Sequence, residues 1–401
     1  MKQKVVVIGH GYTSRLGVIR ALGRAGYEVI VVVILSSATL PKDFKPKKPI
    51  DCYSKYVSQV YYCPHDRDAL VDLLLKQCAV VGQKVVVFPD SDFSAAAIDL
   101  NQERLRENFL FPHINHEPGA VVSWMDKLRQ KECAKALGMN VADGWIIEVK
   151  EGNYSIPVQI KYPCFPKPLA TLTGGKGGLK KCEDEDDLRD VISILVKRMT
   201  NITILVEEYK VIESEHALMG VSDGNNVIIP GIIHTQALAC GGHFGVAKQA
   251  VIKPIKGYED LVEKFKLFVR KTGYVGVFDI DFYKSEGKYF FCEMNLRYGG
   301  SGYAYTKMGV NLPVMFVKSI VGESIDEMNK DILDECIFVN ERMCIDDWYH
   351  GYITTYQLNE MLQSSDISFV KDDDDPMPYT ALKNEMRYMR MKRMLRKLLS
   401  K

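Results

Sequence analysis

Hydrophobic runs alternate with amphipathic segments over the first hundred residues. Residues 5–8, 28–35 and 84–88 are short runs rich in valine and isoleucine, and a helical pattern covers residues 14–25. Uninterrupted runs of this kind are typical of strands in a parallel sheet that helices cover on both faces. The pattern therefore predicts a Rossmann-like α/β domain, which we place at residues 1–115.

The pattern changes after this first block, because polar positions now interrupt the strands. Helices are predicted over residues 123–138 and 184–199, and strands over residues 145–149 and 159–167. An antiparallel arrangement is predicted for the strands that follow, at 202–209, 215–221, 227–229, 231–235 and 246–253. A helix over residues 258–271 then precedes a β-hairpin.

A dinucleotide cofactor is the first function that the N-terminal pattern suggests. Gly9 and Gly11 follow the first strand, as they do in dinucleotide-binding units. The next glycine is Gly17, however, and Ser36 and Ser37 stand where an acidic residue would bind the ribose. The sequence therefore favours other functions over NAD binding.

The hairpin contains a group of residues suited to binding a metal. Asp279 and Asp281 are two residues apart, as are Glu293 and Asn295, so each pair shares one face of the sheet. Pairing of the two strands brings Asp281 towards Glu293 and Asn295, with Arg297 just beyond. Such oxygen ligands suit a magnesium ion that carries a polyphosphate. Solvated side chains on an exposed sheet face are the alternative, although the bulky apolar neighbours make unpaired charges costly.

A second candidate is the loop at residues 171–178, in which four glycines surround Lys176. Glycine amides can approach an anion closely, and the ammonium group adds a positive charge. The loop lacks the ending of a Walker-type phosphate loop, and a flexible linker is the alternative interpretation. Lys167, at the end of the preceding predicted strand, favours phosphate binding.

Two acidic residues, Asp90 and Asp92, follow the strand at residues 84–88. The carboxyl ends of parallel strands face the crevice in which open α/β sheets bind ligands. Both residues are therefore candidates for binding a substrate amine. Capping of the next helix by Asp92 is an equally good interpretation.

Composition narrows the class of protein. The chain has 401 residues, of which 47% are hydrophobic and 26% charged, and its formal net charge of +1 does not indicate nucleic-acid binding. The longest aliphatic run is too short to span a bilayer, and the first residues lack a signal-peptide pattern, so we expect a cytoplasmic protein without a transmembrane segment. Cys240 and His243 have the spacing of half a zinc site, but no second half lies nearby.

The C-terminal residues have a strong charge pattern. Four aspartates follow Lys371, and we interpret them as part of a solvated linker. Residues 382–399 are rich in methionine, leucine, arginine and lysine, which is typical of a helix that contacts an anionic membrane surface or an acidic partner. Packing against the body of the protein is the equal alternative.

Taken in order, these features resemble the ATP-grasp superfamily over about residues 1–325. The resemblance rests on Asp126-Lys127 at the start of a helix, on Lys167 before the glycine loop, and on Asp281 with Glu293-Met294-Asn295-Leu296-Arg297. It implies an α/β (α+β ATP-grasp) fold, with a Rossmann-like N-terminal domain followed by a two-subdomain ATP-grasp module. We place the subdomains at residues 116–203 and 204–325, and a C-terminal extension with a basic helix at 326–401.

The resemblance implies ATP and Mg²⁺ (or Mn²⁺) as ligands. The implied nucleotide-binding residues are Lys127, Lys167, Thr173, Gly174, Gly175, Gly177, Glu207, Glu208, Tyr209 and Glu215. The implied metal ligands are Asp281, Glu293 and Asn295, and the implied catalytic residues are Arg297 and Lys176. Glu213 competes with Glu215 for contact with the ribose, and Leu296 replaces the proline that is usual in the superfamily.

Within the superfamily, residues 14–26, 53–56 and 88–92 are most similar to D-aspartate ligase-like carboxylate-amine ligases. This resemblance implies that a small carboxylic acid is joined to an amine through an acyl phosphate. The alternatives are activation of bicarbonate, as in carbamoyl-phosphate synthetase, and a non-catalytic ATP-binding regulatory protein. A homodimer is the oligomeric state that we expect first, since such dimers are common.

Overall fold

The N-terminal part of the protein is a parallel sheet with helices. The computed structural model describes residues 2–10, 13–39, 45–169, 179–240 and 245–399. The first strands are β1 (Lys4–Gly9), β2 (Glu28–Ile34), β3 (Val57–Cys63), β4 (Val85–Pro89) and β5 (Phe109–Leu110). The first helices are α1 (Thr13–Arg24), α2 (Arg67–Leu73), α3 (Asp92–Leu100) and α4 (Gln102–Leu105). The strand order is β3-β2-β1-β4-β5 with all pairs parallel, as the valine-rich runs predicted.

A small antiparallel sheet follows in the chain. Its elements, together with those leading into it, are β6 (His113–Ile114), α5 (Ala120–Trp124), α6 (Lys127–Ala136), β7 (Gly144–Val149), β8 (Cys164–Pro168), α7 (Glu185–Val196) and β9 (Ile202–Glu208). The strand order is β7-β9-β8. The strand predicted over residues 159–167 begins only at Cys164. Pro166 and Pro168 are tolerated in β8 because it lies at the edge of this sheet.

The largest sheet of the described part contains the predicted hairpin. Its elements are β10 (Ser214–Asp223), β11 (Val227–Ile228), β12 (Ile232–Leu238), β13 (Ala247–Lys253), α8 (Glu259–Thr272), β14 (Tyr274–Ser285) and β15 (Lys288–Asn295). Strands β14 and β15 pair antiparallel through a turn in which Glu286 and Gly287 have φ angles of 51° and 71°. Positive φ at both central positions suits a tight hairpin, so the predicted hairpin is confirmed.

Alternation along these strands separates two faces. Phe278, Ile280 and Phe282 of β14 are buried in one hydrophobic cluster with Phe265 and Phe268 of α8. The intervening Asp279 and Asp281 therefore point to the opposite face, since successive side chains of a strand alternate. Burial of the aromatic face against α8 fixes the register, because a slip of one residue would bury the carboxylates.

The C-terminal residues complete the same sheet. The elements are α9 (Gly302–Lys307), α10 (Leu312–Ile320), β16 (Cys336–Val339), α11 (Glu341–His350), α12 (Thr355–Gln363), β17 (Ile367–Ser368) and α13 (Met377–Leu399). Strand β16 pairs with β13, and β17 pairs with β16. Residues beyond 325 thus continue the sheet, while the domain boundaries given above stay a prediction.

The aspartate run does not form a solvated linker, so that interpretation is wrong for most of it. Asp375 is fully buried and pairs with Arg20 of α1 at 2.9 Å. Asp372 is 6% exposed and lies 2.6 Å from Arg24. These ion pairs attach the C-terminal residues to α1, a contact between distant parts of the sequence.

The basic helix packs on the protein along its first half. Leu382 of α13 is fully buried, and Glu385 accepts a hydrogen bond from Arg342 of α11. Tyr388 and Met391 are 54% and 53% exposed. The packing interpretation is therefore correct for this half, and contact with a membrane surface or an acidic partner stays a prediction. None of the helices in the described ranges is long and apolar enough to cross a membrane.

Candidate active site

The hairpin register brings the predicted metal ligands together. Asp281 lies opposite Glu293, and Asp279 lies opposite Asn295. The amide group of Asn295 donates a hydrogen bond to Asp281 Oδ2 at 3.2 Å. A bulge follows the Asp281–Glu293 pair, and such irregularities re-aim side chains beside active sites.

Charges of like sign meet on this face. Removal from water, followed by the neighbouring charge of Asp281, raises the pKa of Asp279 well above its ordinary value. Arg297 donates to Asp92 at 2.8 Å and to the side-chain oxygen of Asn295 at 3.4 Å. Burial alone would lower the pKa of Arg297, but Asp92 and Asp279 raise it. A cationic ligand would relieve the repulsion among these carboxylates.

Two predicted lysines reach this region from other elements. Asp126 caps α6 by accepting a hydrogen bond from the Arg129 amide at 2.9 Å, and Lys127 follows as the first helical residue. Lys127 forms an ion pair with Glu293. Lys167 of β8 pairs with Glu207 of β9 at 2.6 Å.

Lys131 is a site residue that the sequence analysis missed. It lies one helical turn after Lys127 and pairs with Glu207, the same carboxylate that binds Lys167. Burial, followed by the charge of Lys167, lowers the pKa of Lys131 to about 7. Spacing of four residues from Lys127 was the available signal, since residues i and i+4 share one helix face. Through α6, the metal-ligand face and Glu207 belong to one cluster of charges.

The predicted adenine hinge lies where β9 ends. The Glu208 amide donates to the Asp143 carbonyl at 2.9 Å, and the Tyr209 amide donates to the Pro163 carbonyl at 3.0 Å. The Glu208 side chain pairs with Lys210 at 3.1 Å. These contacts hold the segment between β7 and β8, and its contact with adenine stays a prediction.

The structure favours Glu215 over Glu213 as the predicted ribose contact. Glu213 accepts a hydrogen bond from the Gly287 amide at 2.9 Å, so its side chain stabilises the hairpin turn. Glu215 lies on β10 opposite Tyr283, which shares the face of Asp281.

Asp92 contacts Arg297 and does not cap α3. The cap is Ser91, whose side chain accepts a hydrogen bond from the Ser94 amide at 3.2 Å. The interpretation of Asp92 as a helix cap is therefore wrong, and its carboxylate belongs to the charged cluster at Arg297.

Other predicted residues lie elsewhere or are not described. His234 stacks on His216, which stacks on Phe282 of the apolar face, so His234 lies on the opposite side of the sheet from Asp281. Lys248 pairs with Asp347 of α11 at 2.6 Å. Several predicted residues fall outside the described ranges: Thr173, Gly174, Gly175, Lys176 and Gly177 of the glycine loop, and His243.

The buried histidine stack predicts a pH dependence of stability. Burial, followed by the neighbouring His234, lowers the pKa of His216 to about 4, whereas an unfolded histidine titrates near 6.5. Between these values the unfolded chain binds a proton that the folded protein does not, so stability falls as the pH falls. We expect His216→Phe to reduce the loss of unfolding free energy between pH 7 and pH 4.5 by about 1–3 kcal/mol. Urea denaturation at both pH values measures this loss.

The exposed His350 provides the control for this prediction. It lies at the end of α11 and outside the aromatic stack. His350→Phe should leave the pH dependence as in the wild type. Equal losses in wild-type and His216→Phe proteins would contradict the assignment.

The residues present fit a magnesium ion. Two carboxylates and an amide oxygen face one another at Asp281, Glu293 and Asn295, and magnesium usually combines one or two carboxylates with phosphate oxygens. The described part of the chain contains no group of three His, Cys, Asp or Glu side chains placed to hold a metal. The oxygens of a bound triphosphate would therefore have to complete the coordination.

Comparison with known proteins agrees with this arrangement. The family described as "Carbamoyl-phosphate synthase L chain, ATP binding domain" matches residues 126–328. The carbamoyl phosphate synthase large chain of Gemmatimonas aurantiaca is 25% identical over 231 residues, which are 56% of this chain and 21% of that protein. The present chain thus spans about a fifth of that relative's length.

Solved structures share the fold. An N5-carboxyaminoimidazole synthetase from Staphylococcus aureus complexed with ADP superimposes with a TM-score of 0.60 and 17% identity, covering 85% of this chain and 83% of that chain. An L-amino acid ligase from Bacillus licheniformis gives a TM-score of 0.59 and 16% identity, covering 84% and 79%. The family match includes Lys127, Lys167, Asp281, Glu293 and Arg297. The chain belongs to the family of carbamoyl-phosphate synthase L chain ATP-binding domains, within the ATP-grasp superfamily.

Proposed function

We propose that this protein is an ATP- and magnesium-dependent carboxylate-amine ligase. The observation that supports the proposal most is the cluster in which Lys127 pairs with Glu293 while Lys131 and Lys167 pair with Glu207. Without a nucleotide, these ion pairs compensate the lysines that a triphosphate would bind and the carboxylates that a metal would bind. The solved relatives include a synthetase complexed with ADP and an amino acid ligase, which supports the same reading.

Each part of the cluster has a role in this proposal. Lys127, Lys131 and Lys167 bind phosphate oxygens, together with the glycine loop that contains Lys176. Glu207, Glu208 and Tyr209 form the nucleotide hinge and Glu215 binds the ribose. Asp281, Glu293 and Asn295 hold Mg²⁺ (or Mn²⁺), which, when bound, neutralises the negative charge of the transferring phosphate.

The proposed reaction has two steps. A carboxylate oxygen of the acid attacks the γ-phosphorus of ATP, the bond to the β-phosphate oxygen breaks, and ADP leaves, which produces an acyl phosphate. A neutral amine then attacks the acyl carbon, the bond to the phosphate oxygen breaks, and phosphate leaves as the amide forms and the nitrogen loses a proton. Both steps bring anionic groups together, so cationic side chains such as Arg297 are needed to stabilise them.

The substrates are proposed only by class. A small carboxylic acid and a primary amine fit the ligase reaction, and similarity to D-aspartate ligase-like enzymes favours an amino acid as one of them. Cytoplasmic location and a homodimer remain expectations from the sequence analysis.

An ADP-release assay tests the proposed function. Purified protein is mixed with ATP, magnesium and each of a panel of acids comprising the standard amino acids, succinate and bicarbonate, with hydroxylamine added to trap any acyl phosphate as a hydroxamate. We expect ADP and hydroxamate to form together with at least one acid, and EDTA to abolish both. Absence of ADP release with every acid would contradict the ligase assignment.

Activation of bicarbonate is the second candidate function. The family match and the Gemmatimonas relative favour it, since both are named after carbamoyl-phosphate synthase. ADP release that requires bicarbonate and no other acid would support this candidate. Tight magnesium-dependent ATP binding without any turnover would instead indicate a non-catalytic regulatory protein.

A further inference from the structure

Asp90 is a buried carboxylate with an unsatisfied oxygen at the carboxyl end of β4. It is 9% exposed, and its Oδ2 accepts a hydrogen bond from Ser14 at 2.9 Å. Its Oδ1 has no hydrogen-bond partner among the described residues. Buried polar atoms are nearly always paired, so an orphan carboxylate oxygen indicates a missing ligand.

A second orphan group shares this environment. The hydroxyl of Tyr298 is buried and also lacks a hydrogen-bond partner in the described ranges. Burial, followed by the charge of Asp90, raises the pKa of Tyr298 well above its ordinary value, which indicates that the two groups interact. Tyr298 directly follows Arg297, so the orphan oxygens lie beside the residue that we assign to the acyl phosphate.

The protein supplies no cation for the orphan oxygen of Asp90. Arg15 donates to Asp51 at 2.5 Å and to the Gly9 carbonyl at 2.6 Å. Arg297 donates to Asp92 at 2.8 Å. The nearby guanidinium groups are thus bonded to other acceptors, and a cation for Asp90 has to come from a ligand.

We propose, on the basis of the ligase function proposed above, that Asp90 Oδ1 and the Tyr298 hydroxyl bind the ammonium group of the second substrate, a primary amine. Both oxygens accept hydrogen bonds from N–H groups, and the carboxylate adds charge complementarity. Ser14 orients the carboxylate through Oδ2. The position beside Arg297 holds the amine nitrogen next to the acyl group that it attacks.

Ionisation of Asp90 agrees with this role. Burial raises the pKa of Asp90 to about 7, although Ser14 and nearby arginines oppose the increase. A bound ammonium would stabilise the charged carboxylate and lower this pKa again.

The test compares amine use with acyl phosphate formation. Ammonium, methylamine and the standard amino acids are titrated as amines, and phosphate release is followed with the acid identified by the hydroxamate assay. We expect Asp90→Asn to raise the KM for the amine about tenfold to a hundredfold, because a charged hydrogen bond is lost. The KM for ATP and the rate of hydroxamate formation at high hydroxylamine concentration should change less than about twofold.

Two further variants separate binding from folding. Asp99→Asn removes another buried carboxylate of the same sheet layer, whose oxygens accept from Gln102 at 2.8 Å and from the Val122 amide at 2.9 Å. It should lower the melting temperature and leave the KM for the amine unchanged. Tyr298→Phe should raise that KM several-fold, and it tests the site independently if Asp90→Asn does not fold.

The outcomes distinguish this inference from the proposed function. An unchanged KM for the amine in Asp90→Asn and Tyr298→Phe overturns the inference, as does a wild-type enzyme that forms hydroxamate but responds to no primary amine. In both cases the ligase function stands as far as the acyl phosphate. Failure of the wild type to form any hydroxamate or ADP overturns the proposed function itself.

Discussion

Glu293→Gln is expected to lower ATP turnover at least about a hundredfold, to the background of the assay. Glutamine keeps the size of the side chain but removes the charge that would hold magnesium opposite Asp281. The same charge pairs with Lys127, so its loss changes both the metal and the phosphate side of the site. ADP release with saturating ATP, magnesium and acid measures the effect, and circular dichroism checks that the fold is intact.

Glu286→Gln is the matched control for this change. Glu286 lies on the same hairpin, at the turn, and its side chain is 69% exposed. Turnover by this variant should equal that of the wild type within about twofold. Full activity of Glu293→Gln would remove this glutamate from the mechanism and with it the proposed metal site.

Arg20→Met is expected to lower the free energy of unfolding by about 3–5 kcal/mol, because it leaves Asp375 buried without its cation. Both side chains are fully buried. Arg20 also donates to the carbonyls of Phe369, Val370 and Asp375 at 2.9–3.0 Å, so the C-terminal residues lose several hydrogen bonds at once. Urea denaturation followed by tryptophan fluorescence measures the change.

A surface ion pair gives the control. Arg104 is 42% exposed and pairs with Asp68 and Asp72 on α2, where water screens the charges. Arg104→Met should change the free energy of unfolding by less than about 1 kcal/mol. If Arg20→Met were as mild, the ion pair could not be what attaches the C-terminal residues to α1.

The parts of the site that lie close together in sequence were predictable. Alternation of apolar and acidic residues in the hairpin fixes which side chains share a face, and the turn between the strands is short. The structure accordingly pairs Asp281 with Glu293 and Asp279 with Asn295. The convergence of Lys127 and Lys167 on this region was available only through the resemblance to the superfamily, since neither pairs with its neighbours in sequence.

Contacts between distant segments were not predictable from local pattern. Asp375 and Arg20 are separated by 355 residues, and a run of aspartates has the same local pattern whether solvated or paired. Asp92 likewise reads as a helix cap, because its partner Arg297 lies 205 residues away. Lys131 escaped notice for the same reason, although its spacing from Lys127 places both on one helix face.

A crystal structure with magnesium, a non-hydrolysable ATP analogue and the identified acid tests the central claim most directly. We predict that the triphosphate contacts Lys127 and Lys167, which leave Glu293 and Glu207, and that metal ions lie among Asp281, Glu293 and Asn295. An analogue bound elsewhere, with both lysines still paired to their carboxylates, would contradict the assignment of this cluster as the nucleotide site.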